Sequence, residues 1–109
     1  MISTSSFEVK VDESINLICD KLKLAAFVRA KCIELCARVK PKENTKVSDP
    51  TANAVACAIV SIVHEDEVRN GRVDRHLPDR ILGKVFGLTG TSVVYNRRLI
   101  NRIRTPNNG

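Results

Sequence analysis

With 109 residues, the chain has room for one domain with a single modest core, which excludes two independent ones. Hydrophobic residues make up 43% but aromatics only 4%, so the core must be assembled from Val, Ile, Leu, Ala and Cys, a composition suited to helices packed through small side chains. The net charge of +6 is unevenly placed: residues 1–79 hold twelve Lys/Arg against twelve Asp/Glu, whereas residues 80–109 hold Arg80, Lys84, Arg97, Arg98, Arg102 and Arg104 and no acid. A single positive surface and a polyanionic or acidic partner are the expectation, with a merely solubilising tail as the alternative.

The first dozen residues alternate Phe7, Val9 and Val11 with Glu8, Lys10 and Asp12, which reads as an N-terminal arm or short edge strand over 1–12. The opening MISTSSFEVKVDES lacks a basic-then-apolar leader, and no stretch of the chain approaches the roughly eighteen uninterrupted apolar residues of a membrane span, so neither secretion nor membrane insertion is expected. From Ser14 the spacing turns helical: Ile15, Ile18, Cys19 and Leu22 fall on one face and predict a first helix over 13–22. A second helix, 25–39, carries the stripe Val28, Cys32, Leu35, Cys36 and Val39 and is stopped by Pro41.

After a polar loop, Asp49-Pro50 supplies a cap and a first-turn proline for a third helix. Within residues 52–63 the only polar side chains are Asn53 and Ser61, so this helix is expected to be central, with the others around it. The segment 64–76, HEDEVRNGRVDRH, reads as a solvated charged loop with an Asn70-Gly71 turn, in preference to an Asp/Glu metal site. Pro78-Asp79 opens a fourth helix over 79–86, stopped by Gly87. A fifth helix covers 91–104 with Thr91 or Ser92 as its cap, followed by a flexible tail over 105–109. The result is an all-α domain of five helices.

The four cysteines form no Cys-x-x-Cys pair and sit at apolar helical positions. Cys32 and Cys36 are one turn apart and could in geometry share a metal, but reduced core thiols are the favoured reading, with no metal and no cofactor expected. That usage fits a reducing compartment, cytosol or nucleus. An enzyme is disfavoured as well: the two histidines fall in or beside the charged loop, and no glycine-rich phosphate loop is present.

The last two helices match the requirements of a helix-turn-helix pair, with Gly83 as the small residue at the close approach, Gly87 in the turn, and Leu82, Phe86, Leu88 and Val93 as the interlocking apolar set. Asn96 stands where an apolar residue is usual. Projected at about 100° per residue, Val93, Tyr95, Asn96, Leu99, Ile100 and Ile103 fall on one half of the last helix. Val94, Arg97, Arg98, Asn101, Arg102 and Arg104 fall on the other, with no glutamate a turn away to compensate them. Arginine suits phosphate and guanine contacts through its planar fork, and an exposed valine suits a thymine methyl. The candidate DNA-binding set is therefore Arg80, Lys84, Thr91, Ser92, Val94, Arg97, Arg98, Asn101, Arg102 and Arg104.

In the order of these helices, and in the stretches INLICDKLKL, DPTANAVACAIV and DRILGKVFGLTGTSVVYNRRLI, the chain resembles the cyclin-like repeat of the transcription factor IIB family. The resemblance covers about residues 14–103, one repeat of the two that family carries. It implies a five-helix cyclin-like fold over 13–104 and a role in transcription initiation. The implied partners are double-stranded promoter DNA and a TATA-binding protein or related factor, with RNA polymerase engaged through regions outside this chain. The implied location is the nucleus, or the cytoplasm in an archaeal cell. Where the family's second repeat usually presents a base-reading arginine this sequence has Val94, so Arg97 and Arg98 are assigned to phosphates and gripping DNA is favoured over reading it. No zinc-ribbon cysteines are present, which fits a separated domain or a divergent single-repeat protein. The alternative is a cyclin-box interaction scaffold that touches no DNA; the Lys/Glu pair of a kinase-gripping cyclin is not apparent in the second and third helices.

Overall fold

The computed structural model describes residues 6–39, 49–73 and 77–104, and among these the only regular elements are five α-helices. They are α1 (Ser6–Leu22), α2 (Ala26–Val39), α3 (Asp49–Arg69), α4 (Asp79–Lys84) and α5 (Gly90–Arg104). α3 is the hub and packs against each of the other four. Its alanines explain why: Ala52, Ala54, Ala56 and Ala58 are buried beside Cys57, Ile59 and Val60, and such short side chains let neighbouring helices approach from several directions. Ile15 and Ile18 of α1, Val28, Cys32 and Cys36 of α2, Leu82 of α4 and Val93 of α5 close on that hub, all essentially without solvent contact. Each such aliphatic side chain stabilises the fold by roughly 1.5–3 kcal/mol through burial. The radius of gyration, 13.3 Å, is what a compact chain of this length has. None of the described helices is long and apolar enough to cross a membrane.

Two expectations are corrected. The arm or edge strand placed at 1–12 is, from Ser6 onward, the start of α1. Val11 is fully buried and extends the Ile15, Ile18 and Cys19 stripe backward by one turn, while Val9 is exposed, so the three-residue alternation loses to a longer helical period. Residues 1–5 lie outside the described part. The charged stretch after Val63 is likewise no loop at its start, because α3 runs on to Arg69 and buries His64 and Glu67. Asn70-Gly71 does terminate it, and residues 74–76 lie outside the described part.

Three helix ends share one device, in which a residue with left-handed backbone follows the helix and the next N–H reaches back five residues. Gly71 (φ 77°) ends α3, with the Arg72 N–H donating to the Glu67 carbonyl at 2.9 Å. Gly87 (φ 71°) ends the turn after α4, with the Leu88 N–H donating to the Gly83 carbonyl at 2.8 Å. At α1 the same place is held by Lys23 (φ 55°), while the Leu24 N–H donates to the Cys19 carbonyl at 2.9 Å. A side chain with a Cβ is strained there, so Lys23→Gly is expected to raise stability by about 0.5–1 kcal/mol, read as a higher urea midpoint at unchanged slope.

The α4 to α5 connection is built by two glycines with different duties. Gly87 supplies the left-handed turn. Gly83 is buried, and a Cβ there would stand 2.7 Å from the Leu88 carbonyl oxygen, so only glycine lets the chain fold back over the end of α4. Gly90, the first residue of α5, then lies beside the backbone of Arg80. α4 is shorter than expected, ending at Lys84, with Val85 and Phe86 in the turn instead of the helix. The cap of α5 also lies earlier, two residues before Thr91: the Thr89 hydroxyl oxygen, not Thr91 or Ser92, accepts the Ser92 N–H at 3.3 Å.

Candidate nucleic-acid interface

α5 presents its outward side as a narrow stripe. Thr91, Val94, Arg98, Asn101 and Arg102 are exposed, and at about 100° per residue they fall within roughly a third of the helix circumference. Arg80 and Lys84, one turn apart on α4, are exposed too, and the contact of Gly90 with Arg80 sets α4 alongside the start of α5. Among the described residues, Arg80, Lys84, Arg98 and Arg102 have no ion-pair partner. Ser92 is half-buried at the cap, and its carbonyl accepts the Asn96 side-chain amide at 2.9 Å, which is how a polar residue fits a position that is usually apolar. The side chain of Arg104 lies outside the described residues.

Arg97 does not share that stripe. Only 26% of its side chain is exposed, because two carboxylates from other helices draw it inward. Its Nη2 donates to Glu65 Oε1 of α3 at 2.6 Å, and its Nη1 to Asp79 Oδ2 of α4 at 3.0 Å. The other oxygen of Asp79 accepts the Ser61 hydroxyl at 2.6 Å, so one carboxylate at the head of α4 ties α3, α4 and α5 together. Arg97, assigned to a phosphate on sequence grounds, has its fork occupied by two carboxylates, a charge-assisted geometry that fixes the helix pair on the hub. Asp79 and Glu65 lie 18 and 32 positions away in sequence, which is why the pattern within α5 alone gave no hint of them.

Tyr95 moves the opposite way. Expected on the core-facing half, its residue is 61% exposed, next to Val94 at 37%. Turning α5 so that the Arg97 fork reaches inward carries Tyr95 out, while Val93 and Ile100 remain buried. This exchange also disposes of the nearby acids. Glu65 and Asp79 are both paired with the guanidinium, and the exposed described residues of α4 and α5 are cations, hydroxyls, an amide and apolar groups.

Elsewhere the charged groups of α3 are neutralised locally. Glu67, 3% exposed, pairs with Arg72 at 2.7 Å and with Lys31 of α2 at 3.6 Å, and the Arg72 hydrogen bond holds its carboxyl below the usual range against the opposing effect of burial. A groove of about 320 Å³ between α2 and the end of α3 is lined there by balanced charges, Lys31, Arg38 and Arg69 against Glu34, Asp66 and Glu67. All four cysteines are buried, and none is in a disulfide. Burial pushes the Cys57 thiol up to about 12 and Cys32 higher still, so both are protonated packing groups and Cys57 donates to the Leu82 carbonyl at 3.3 Å. Among the described residues, no three His, Cys, Asp or Glu side chains gather in a way that could hold a metal ion.

Comparison with protein families, with curated protein sequences and with solved structures finds no match to this chain.

Proposed function

We propose that this protein is a non-catalytic DNA-binding domain of the transcription initiation machinery, built on a cyclin-like five-helix plan and related to one repeat of the transcription factor IIB family. The observation that carries the reading is the outer stripe of α4 and α5, which is cationic, with Glu65 and Asp79 both paired to Arg97. The alanine-rich central helix with four helices around it, and the glycine-built turn from α4 to α5, support the same reading. In it, α5 enters the major groove of promoter duplex, Arg80, Lys84, Arg98 and Arg102 bind phosphates, and Val94 meets a thymine methyl. A TATA-binding protein or related factor is the protein partner, and the work is done in the nucleus, or in the cytoplasm of an archaeal cell.

Duplex affinity is expected to fall steeply with salt, and the slope of log affinity against log salt should lessen by about 0.9 for each phosphate-bound arginine replaced, as in Arg98→Ala and Arg102→Ala. Filter-binding titrations at several salt concentrations measure this, and mobility shifts with and without a TATA-binding protein test the partner. Absent duplex binding, or affinity indifferent to salt, overturns the reading. The exposure of Ile81 on α4 and of Val94 and Tyr95 on α5 favours one second reading, a protein-docking scaffold, which predicts capture of an acidic protein with no DNA shift.

A further inference from the structure

Resting on the DNA-binding reading above, the geometry points to Tyr95 as a contact residue of that interface, one that places its phenolic hydroxyl on a phosphate of the strand followed by Arg98 and Arg102. We infer that the stripe on α5 is two rows, and that Tyr95 belongs to the one that tracks the DNA backbone. Thr91, Tyr95, Arg98 and Arg102 recur at steps of four, three and four residues, which keeps them in an almost straight line along the helix, and all four are exposed. At about 1.5 Å of rise per residue, neighbours in this row are roughly 4.5–6 Å apart. Every member ends in a hydrogen-bond donor, two hydroxyls followed by two guanidinium groups, the donor types that contact phosphate oxygens. Val94 and Asn101 form the second row to one side of it.

An aromatic ring exposed to this degree needs a reason in a chain with so few aromatics. The core does not supply one, since Val93 and Ile100 fill the buried face of α5. Among the described residues no carboxylate accepts its hydroxyl, and Glu65 and Asp79 are bound to Arg97. A polyanion supplies acceptors along the whole row, and a ring standing between two arginines and a threonine also shields those contacts from water.

The test separates a neutral hydrogen bond from a cation. Tyr95→Phe removes only the hydroxyl and is expected to weaken binding to duplexes of unrelated sequence by about threefold to tenfold, a single hydrogen bond's effect, with the salt slope unchanged because no counterion is involved. Tyr95→Ala should weaken it further, and Arg98→Ala should lower the slope. Thermal unfolding of both Tyr95 variants should match the parent, as expected for an exposed side chain. If the parent binds duplex with the expected salt slope while Tyr95→Phe and Tyr95→Ala bind equally well, the inference about Tyr95 fails and the DNA-binding reading stands. If the parent binds no duplex, that reading itself has failed. Loss confined to single-stranded DNA, with duplex affinity intact, overturns the backbone-tracking geometry in favour of base stacking.

Discussion

Gly83→Ala is expected to lower the stability of the protein by about 2 kcal/mol and, on the proposed DNA-binding role, to abolish tight duplex binding, although alanine is the better helix former by about 1 kcal/mol. The two effects have opposite signs, which makes the substitution informative. In an open helical site the new methyl would stabilise. Here it meets the Leu88 carbonyl oxygen at 2.7 Å, and that atom is backbone, so it cannot swing aside as a flexible side chain would. Moving Leu88 away pulls on the 2.8 Å bond from its N–H to the Gly83 carbonyl, the bond that closes the turn into α5. Relief of the clash therefore reorients the helix that bears Val94, Arg98 and Arg102. Urea unfolding at unchanged slope measures the first effect and duplex titration the second. A variant as stable as the parent, or more stable, would mean that the turn yields and that Gly83 is replaceable.

Gly83 and Gly87 were both legible from sequence, because a small residue at a close approach and a left-handed turn each restrict the residue type at one position. The apolar stripes of α2 and the alanine-rich α3 were legible for a related reason: burial repeats with the helical period. What escaped was decided by partners distant in the chain. At about 100° per residue Tyr95 and Arg97 stand at the borders between the two halves of α5, so the projection alone does not fix their sides, and the carboxylates of Glu65 and Asp79 decide them. The same physics hid the end of α3. Three consecutive acids read as a solvated loop until Arg72, Lys31, Arg69 and Arg97 are seen to neutralise them from four places in the fold.

Those carboxylates set the second large effect. Arg97→Ala is expected to cost about 2–3 kcal/mol, less than the roughly 3–5 kcal/mol of a wholly buried pair because water reaches part of the cluster. Asp79 is the sensitive partner: its side chain is 17% exposed, and without the guanidinium only the Ser61 hydroxyl remains to satisfy it. Arg97→Lys restores the charge but not the fork, so it should recover part of the loss. If Arg97 acts by holding α5 in place, duplex affinity falls with stability while the salt slope stays at the parent's value. If it reaches a phosphate instead, the slope drops by about 0.9, as for Arg98→Ala. The double variant Arg97→Ala, Asp79→Asn separates the two further, since neutralising the stranded carboxylate should return stability without returning a phosphate contact. Recovery of both stability and duplex binding in that variant would identify Arg97 as the side chain that positions the interface and leaves its contacts to Arg98, Arg102 and their neighbours on the outer stripe.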